Sequence, residues 1–203
     1  MSPRGVAIPD LREHLFQATE RVLAREGPAG LTSRAITVEA GVAKGVLHNH
    51  FIDIDGFLAE FVTERLRLIA DAAAKLPTLA GAGTVVENLT DAVLSVFGTH
   101  AAAMISLATA RPALMIRLRH SLAAGSASLQ QIEGAFAAYL DAEKKTGRVS
   151  PDADTETLAL ALIGTVHHLF MTDRADAPRL RRRVHRVVET LVGPCLRATP
   201  RRA

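Results

Sequence analysis

The chain has 203 residues, nearly half of them apolar, and a formal charge of +3. That is enough apolar content to bury a real core, which excludes a wholly disordered chain. A single cysteine excludes an internal disulfide framework and a cysteine-rich metal site. Ala (35) and Leu (25) dominate while aromatics make up 4%. Such a pool favours helices, because strands prefer β-branched and aromatic side chains. No apolar run approaches the roughly 20 residues of a membrane span, and no signal-peptide pattern follows Met1. A soluble, cytoplasmic protein with no membrane partner is expected.

The first helix opens at Asp10, with Glu13 three residues on as in a capping box. Leu11, Leu15, Ala18 and Val22 give it one apolar face, and Gly27-Pro28-Ala29-Gly30 ends it. A short helix from Ser33 to Ala40 follows, with Thr32 as its N-cap and Ala35 and Ile36 facing inward. Gly41 breaks it, and a second short helix runs from about Lys44 to His50. A long helix from about Gly56 to Lys75 carries Phe57, Leu58, Phe61, Val62, Leu66 and Ile69. Beyond a small-residue loop, helices are predicted over 84–98, 101–109, 112–121, about 126–145, 155–171 and 178–196. No strand pattern and no fixed repeat is visible. The fold class is all-α, with about nine or ten helices in two domains, 1–55 and 56–203.

Two short helices joined by Ala40-Gly41-Val42-Ala43 have the grammar of a helix-turn-helix, whose second helix enters a major groove. The residues Thr32, Arg34, Ile36, Ala40, Gly41, Val42, Gly45, Leu47, His50 and Phe51 sit at matching positions of a known motif. By these residues the chain resembles the tetracycline-repressor (TetR) family. The resemblance implies an N-terminal three-helix DNA-binding domain and a larger helical domain for ligand binding and dimerisation. It implies a homodimer that binds a pseudo-palindromic operator in double-stranded DNA, acting as a repressor until a small molecule of unknown identity releases it. The alternative is an all-α small-molecule-binding dimer with weak or lost operator binding.

The expected DNA-contacting residues are Thr32, Ser33, Arg34, Ala43, Lys44, Gly45, Val46, His48, Asn49 and His50. Lys44 can reach guanine or a phosphate, Val46 a thymine methyl, and Thr32, Ser33 and Arg34 a phosphate at a helix start. Gly45 costs about 1 kcal/mol against Ala in a helix, a cost that close approach to the groove would explain. Three departures from the family pattern stand out. His48 replaces a Tyr, Ala43 replaces a small hydroxyl residue, and Ile54, between Asp53 and Asp55, stands where a phosphate-binding Lys is usual. Two carboxylates there would repel a phosphate, so a shallow salt dependence is expected. His48 and His50 look like a metal pair, but residues two apart on a helix diverge, so no metal is assigned.

Phe97, His100, Met104, Leu107, Met115, Leu118, Phe136, His167 and Phe170 are candidates to line a ligand pocket, each with ordinary core as its plainer role. Leu158, Leu162, Thr165 and Leu169, with Val184, Val188, Leu191 and Cys195, are candidates for a dimer interface between paired helices, burial within one chain being the alternative. No catalytic motif, nucleotide loop or cofactor signature is present, so no enzyme is expected. The charge is unevenly spread. Residues 1–56 hold 6 basic and 7 acidic residues, 57–178 hold 10 and 13, and 179–203 hold 8 and 1. The whole basic excess lies at 179–203, away from the motif, and reads as a solvated face or a partner for acidic residues.

Overall fold

The computed structural model describes residues 10–123, 129–172 and 177–197, and the side chains of 99–103, 105, 121–123 and 129 lie outside that description. The described residues contain ten α-helices: α1 (Leu11–Gly30), α2 (Ser33–Glu39), α3 (Val46–His50), α4 (Ile54–Ala73), α5 (Val85–Val96), α6 (Thr99–Ala110), α7 (Pro112–Ala123), α8 (Leu129–Lys145), α9 (Thr155–Thr172) and α10 (Ala177–Val192). Short 3-10 turns follow α4 and α10. The all-α expectation holds. The predicted helix over 101–109 is α6 and begins at Thr99, and the start expected near 126 lies outside the described residues.

Local chemistry explains the boundaries. Asp10 accepts a bond from Glu13 N at 3.1 Å, half of a capping box. Regular geometry in α1 breaks at Gly27 (φ 70°), which stands before Pro28, where the helical region is disfavoured. Thr84 Oγ1 caps α5 through Glu87 N at 3.1 Å, and Asp154 caps α9 through Thr157 N at 3.1 Å.

The chain packs as two compact units, 1–63 with 103–123 and 64–102 with 124–203. In the first, Phe16 of α1 lies 5.5 Å from the ring of Phe57 and 5.6 Å from that of Phe61, both on α4. Phe51 meets Phe57 edge-on at 4.8 Å. Leu15, Val22, Leu31, Ile36, Leu47 and Leu58 complete this buried centre. Met104, Leu107, Leu114 and Leu118 of α6 and α7 are also buried.

In the second unit, α5, α8, α9 and α10 enclose a core that includes Leu89, Val93, Phe136, Leu140, Leu162 and Val166. Val184, Val188 and Val192 are fully buried in it. The basic face of α10 turns outward, where Arg181 pairs with Glu87 (2.9 Å) and Asp91 (2.6 Å).

The Glu143–Arg148 ion pair of this unit is buried. Glu143 has no exposed surface, and Arg148 donates to both its carboxylate oxygens. Glu143 also accepts from Thr146 Oγ1 (3.0 Å) and from Gly81 N (3.3 Å). Arg148 donates further to Gly83 O at 2.7 Å, so the pair pins the loop after α4 to the end of α8. Burial alone would raise the Glu143 pKa, but the bonds from Arg148, Tyr139, Thr146 and Gly81 hold it below the ordinary carboxylate value. Burial pushes the Tyr139 hydroxyl up.

Removing one partner of a buried pair strands the other charge. Arg148→Ala should therefore lower unfolding free energy by about 3–5 kcal/mol in urea denaturation. A folded-state pKa below the unfolded one means the Glu143 contribution is present above the unfolded pKa, near 4.3, and is lost as pH falls through the lower folded value. The wild type should lose stability along that acid limb, and Glu143→Gln should flatten it. An unchanged pH profile in Glu143→Gln would contradict this account.

Candidate nucleic-acid interface

The interface begins with how α2 starts and stops. Thr32 Oγ1 accepts from Ala35 N at 3.0 Å, which caps α2 and fixes the chain direction at its start. At the other end, Gly41 N donates to Val38 O (3.1 Å) and Val42 N donates to Thr37 O (3.0 Å). These two bonds, with Gly41 at φ 65°, form a Schellman turn. The Cβ position of Gly41 is open space, so its need is for the backbone angle, not for room.

The turn is held from α1. A ring nitrogen of His14 bonds to the carbonyl of Ala40, the C-cap, at 2.8 Å. Arg21 and Arg25 grip Glu39 at 2.6 and 3.0 Å. These guanidiniums hold the Glu39 carboxylate below its usual pKa despite some opposing burial. A carboxylate at a helix C-terminus is disfavoured by the helix dipole, and the paired arginines offset that. His14, Arg21 and Arg25 share one face of α1, spaced by seven and four residues. That spacing is the one sign of their shared role that the sequence carries.

The turn delivers a shorter second helix than expected. α3 spans Val46–His50, while Ala43, Lys44 and Gly45 precede it. Gly45 is its N-cap and no side chain caps it. Ala43 has no hydroxyl to supply that bond and Gly45 has no side chain at all, which explains the late start.

The expected DNA-contacting residues fall on the outside. Thr32, Arg34, Ala43, Lys44, Gly45, His48, Asn49 and His50 are exposed, and Ser33 and Val46 are half-buried. Leu47 points into the core at 1% exposure and anchors α3. Among the described residues, Arg34, Lys44, His48, Asn49 and His50 have no intrachain side-chain bond, so their donors face solvent. A Cβ added at Gly45 would also meet open space. No packing among the described residues requires glycine there.

The acidic corner after α3 differs from the sequence expectation. Asp53 Oδ1 accepts from Gly56 N at 2.7 Å and so caps the first turn of α4. Asp53 Oδ2 accepts from Arg117 of α7 at 2.6 Å. Asp55 accepts at 2.9 Å from Arg111, which also donates to Leu31 O at 2.6 Å. The carboxylates are paired, not free to act as two bare negative charges. Both arginines are more than fifty residues away in sequence, which hides the pairing from local reading.

The ligand-pocket candidates separate between the two units. Phe97 of the second unit lies 5.4 Å from Phe170 and 6.1 Å from His167, ring to ring. Phe136 is fully enclosed in that unit's core. Met104, Leu107 and Leu118 are buried and Met115 is half-buried in the first unit. A side chain with no accessible surface borders no space wide enough for water, so Leu107 and Phe136 act as core in this conformation. His100 lies outside the described side chains.

The interface candidates divide by face. Leu162, Leu169, Val184 and Val188 are buried within the chain's own unit, with Leu162, Val184 and Val188 at 0% exposure. Leu162, Val184 and Val188 have no surface to offer a second chain, because their apolar faces close the core beneath α9 and α10. Leu158, Leu191 and Cys195 are half-buried and Thr165 is exposed. Between Thr165 and Leu169 of α9 and Arg183, Val187 and Leu191 of α10 runs an open groove of about 380 Å³.

A short exposed helix behind a Schellman turn has the form of a helix-turn-helix. Residues 15–61 match the family model for bacterial regulatory proteins of the tetR family. The match covers the helix-turn-helix segment, and the chain as a whole has the fold of solved TetR-family regulators. A protein described as a TetR-family transcriptional regulator from Mesorhizobium loti aligns with a TM-score of 0.68 at 17% identity, over 92% of this chain and 96% of that one. GusR of Salmonella enterica aligns with a TM-score of 0.65 at 16% identity, over 92% and 98%. The regulator FadR of Bacillus subtilis, solved in complex with stearoyl-CoA, aligns with a TM-score of 0.64 at 18% identity, over 89% and 97%. Comparison with curated protein sequences gives no match. No helix among the described residues is long and apolar enough to cross a membrane.

Gly45→Ala separates fold from function. It should leave thermal stability unchanged or slightly raised, since Gly45 holds φ −79° and ψ −11°, angles that Ala adopts without strain while narrowing the unfolded ensemble. It should still weaken DNA binding, because the added methyl stands on the outer face. Equal affinity of the two proteins in a gel shift would show that the glycine has no part in groove approach.

Proposed function

We propose that this protein is a dimeric transcriptional regulator that binds a pseudo-palindromic operator and leaves it when a small molecule binds. The observation that carries this reading is the face formed by Lys44, Gly45, Val46, His48 and Asn49. It is solvent-facing, rich in donors, and mounted on a turn that α1 holds rigidly. Lys44 and Asn49 read base edges or phosphates, and Thr32, Ser33, Arg34 and His50 contact the backbone of the duplex. Reading chromosomal DNA places the protein in the cytoplasm. Its chemistry is binding, not catalysis.

Dimerisation fits the outer faces of α9 and α10. Leu160 is 57% exposed there, and the groove beside Val187 and Leu191 offers an apolar floor to the same helices of a second copy. Two-fold pairing would set half-sites about one helical turn apart. Ligand control finds support in the half-buried His167 and Phe170 beside Phe97, which offer an aromatic, adaptable wall. The stearoyl-CoA complex of the Bacillus subtilis regulator shows that a protein of this fold can hold a small molecule. A ligand acts here by binding one of two conformations more tightly.

A gel shift with the DNA upstream of the protein's own gene tests the reading. The full chain should retard that duplex in preference to a scrambled one, and Lys44→Ala should weaken the complex by roughly tenfold, the loss of about 1–3 kcal/mol. With few cations at the interface, log K against log salt should be shallower than about −8. No retardation at low salt would favour the alternative of a ligand-binding dimer without operator binding. Equal retardation of both duplexes would assign binding to the arginines of 179–203 instead.

A further inference from the structure

The segment from Gly45 to Glu64 contains α3, the corner after it and the first half of α4, yet it holds no Lys or Arg. It does hold four carboxylates: Asp53, Asp55, Glu60 and Glu64. Unbalanced, they would place negative charge beside the very face read above as DNA-contacting. Each carboxylate is paired with an arginine: Glu60 with Arg12, Glu64 with Arg67, Asp55 with Arg111 and Asp53 with Arg117. Asp53 and Asp55 stand three and five residues beyond His50, the last residue of α3. Their counter-charges come from α7 and the residue before it, far along the chain but within the same compact unit.

We propose that Arg111 and Arg117 are positioning and counter-charge residues for the DNA-reading face, required to make the corner after α3 compatible with a phosphate backbone. The proposal rests on the DNA-binding reading and adds residues to it that lie outside the helix-turn-helix. Arg111 does this at two points, since it joins Asp55 on α4 to the carbonyl of Leu31 ahead of α2. Arg117 acts at a partly exposed pair, where its charge and that of Asp53 are both felt by a nearby polyanion. The N-terminus of α4 is occupied by the Asp53 carboxylate itself, so phosphate attraction there depends on what neutralises Asp53.

Neutralising each member of the Arg117–Asp53 pair in turn distinguishes this role from simple bracing. Asn caps a helix about as well as Asp, so Asp53→Asn keeps the cap of α4 while freeing Arg117. A bracing role makes both single variants bind DNA more weakly. A counter-charge role makes them move in opposite directions. In anisotropy titrations of the full chain with the upstream duplex, Arg117→Gln should weaken binding about three- to tenfold at low salt, and Asp53→Asn should tighten it about twofold or more. The double variant should return to wild-type affinity, and the differences should shrink as salt rises from about 50 to 200 mM. Circular dichroism melts confirm that each variant is folded. An Asp53→Asn protein that fails to tighten overturns the proposal. If wild type binds the duplex and Arg117→Gln matches it, the counter-charge role alone is overturned. If folded wild type binds neither the upstream nor a scrambled duplex, the DNA-binding reading itself fails, and this one with it.

Discussion

Where the reading helix points is decided by the few backbone groups that end α2. The carbonyls of Thr37 and Val38 are taken by the amides of Val42 and Gly41, and the carbonyl of Ala40 is taken by His14. With those partners assigned, the chain leaves α2 in a single direction, and only a left-handed residue at position 41 allows it. Everything outward of that turn inherits its geometry. α3 is five residues long and too short to hold its own conformation in water, so its order comes from Leu47 in the core and from the turn. Phe16, set between Phe57 and Phe61, fixes α1 on α4 and so fixes the platform on which the turn is built.

Charge in this protein is arranged locally and not in bulk. The net +3 would suggest a basic DNA-binding protein, yet the excess lies in 179–203. There Arg181 is engaged by Glu87 and Asp91 of its own unit, and His185 lies 3.2 Å from Glu87. The unit that holds the helix-turn-helix pairs Glu26, Glu39, Asp53, Asp55 and Glu60 with arginines instead of omitting them. An exposed pair of this kind adds little to stability. Its consequence is electrostatic: it sets what a neighbouring polyanion meets. The buried Glu143–Arg148 pair is a different device, since its bonds to Gly81 and Gly83 order a loop that has no regular structure of its own.

The legibility of the chain follows the range of the interactions involved. Thr32 and Asp10 were readable as caps because the amide each serves lies three residues away. Gly41 was readable because its backbone angle is a local demand. The outward placement of Lys44, His48 and Asn49 follows from the helix-turn-helix pattern. The late start of α3 was written in Ala43 and Gly45, neither of which can cap, but the periodicity of 44–50 masked it. Periodicity also left open which partner the valine stripe of α10 meets. Val184 and Val188 would look the same on a core or on a subunit interface, because an apolar stripe says only that it is covered.

The sequence by itself determined the helical class, the side-chain-capped helix starts and the helix-turn-helix motif, since caps, turns and apolar periods act over three to seven residues. Only the tertiary structure decided what meets across the chain. It joined Asp53 to Arg117, Asp55 to Arg111 and His14 to Ala40, and it turned the stripe of α10 into its own core. Those contacts depend on how helices distant in sequence pack together, and no local pattern carries that information.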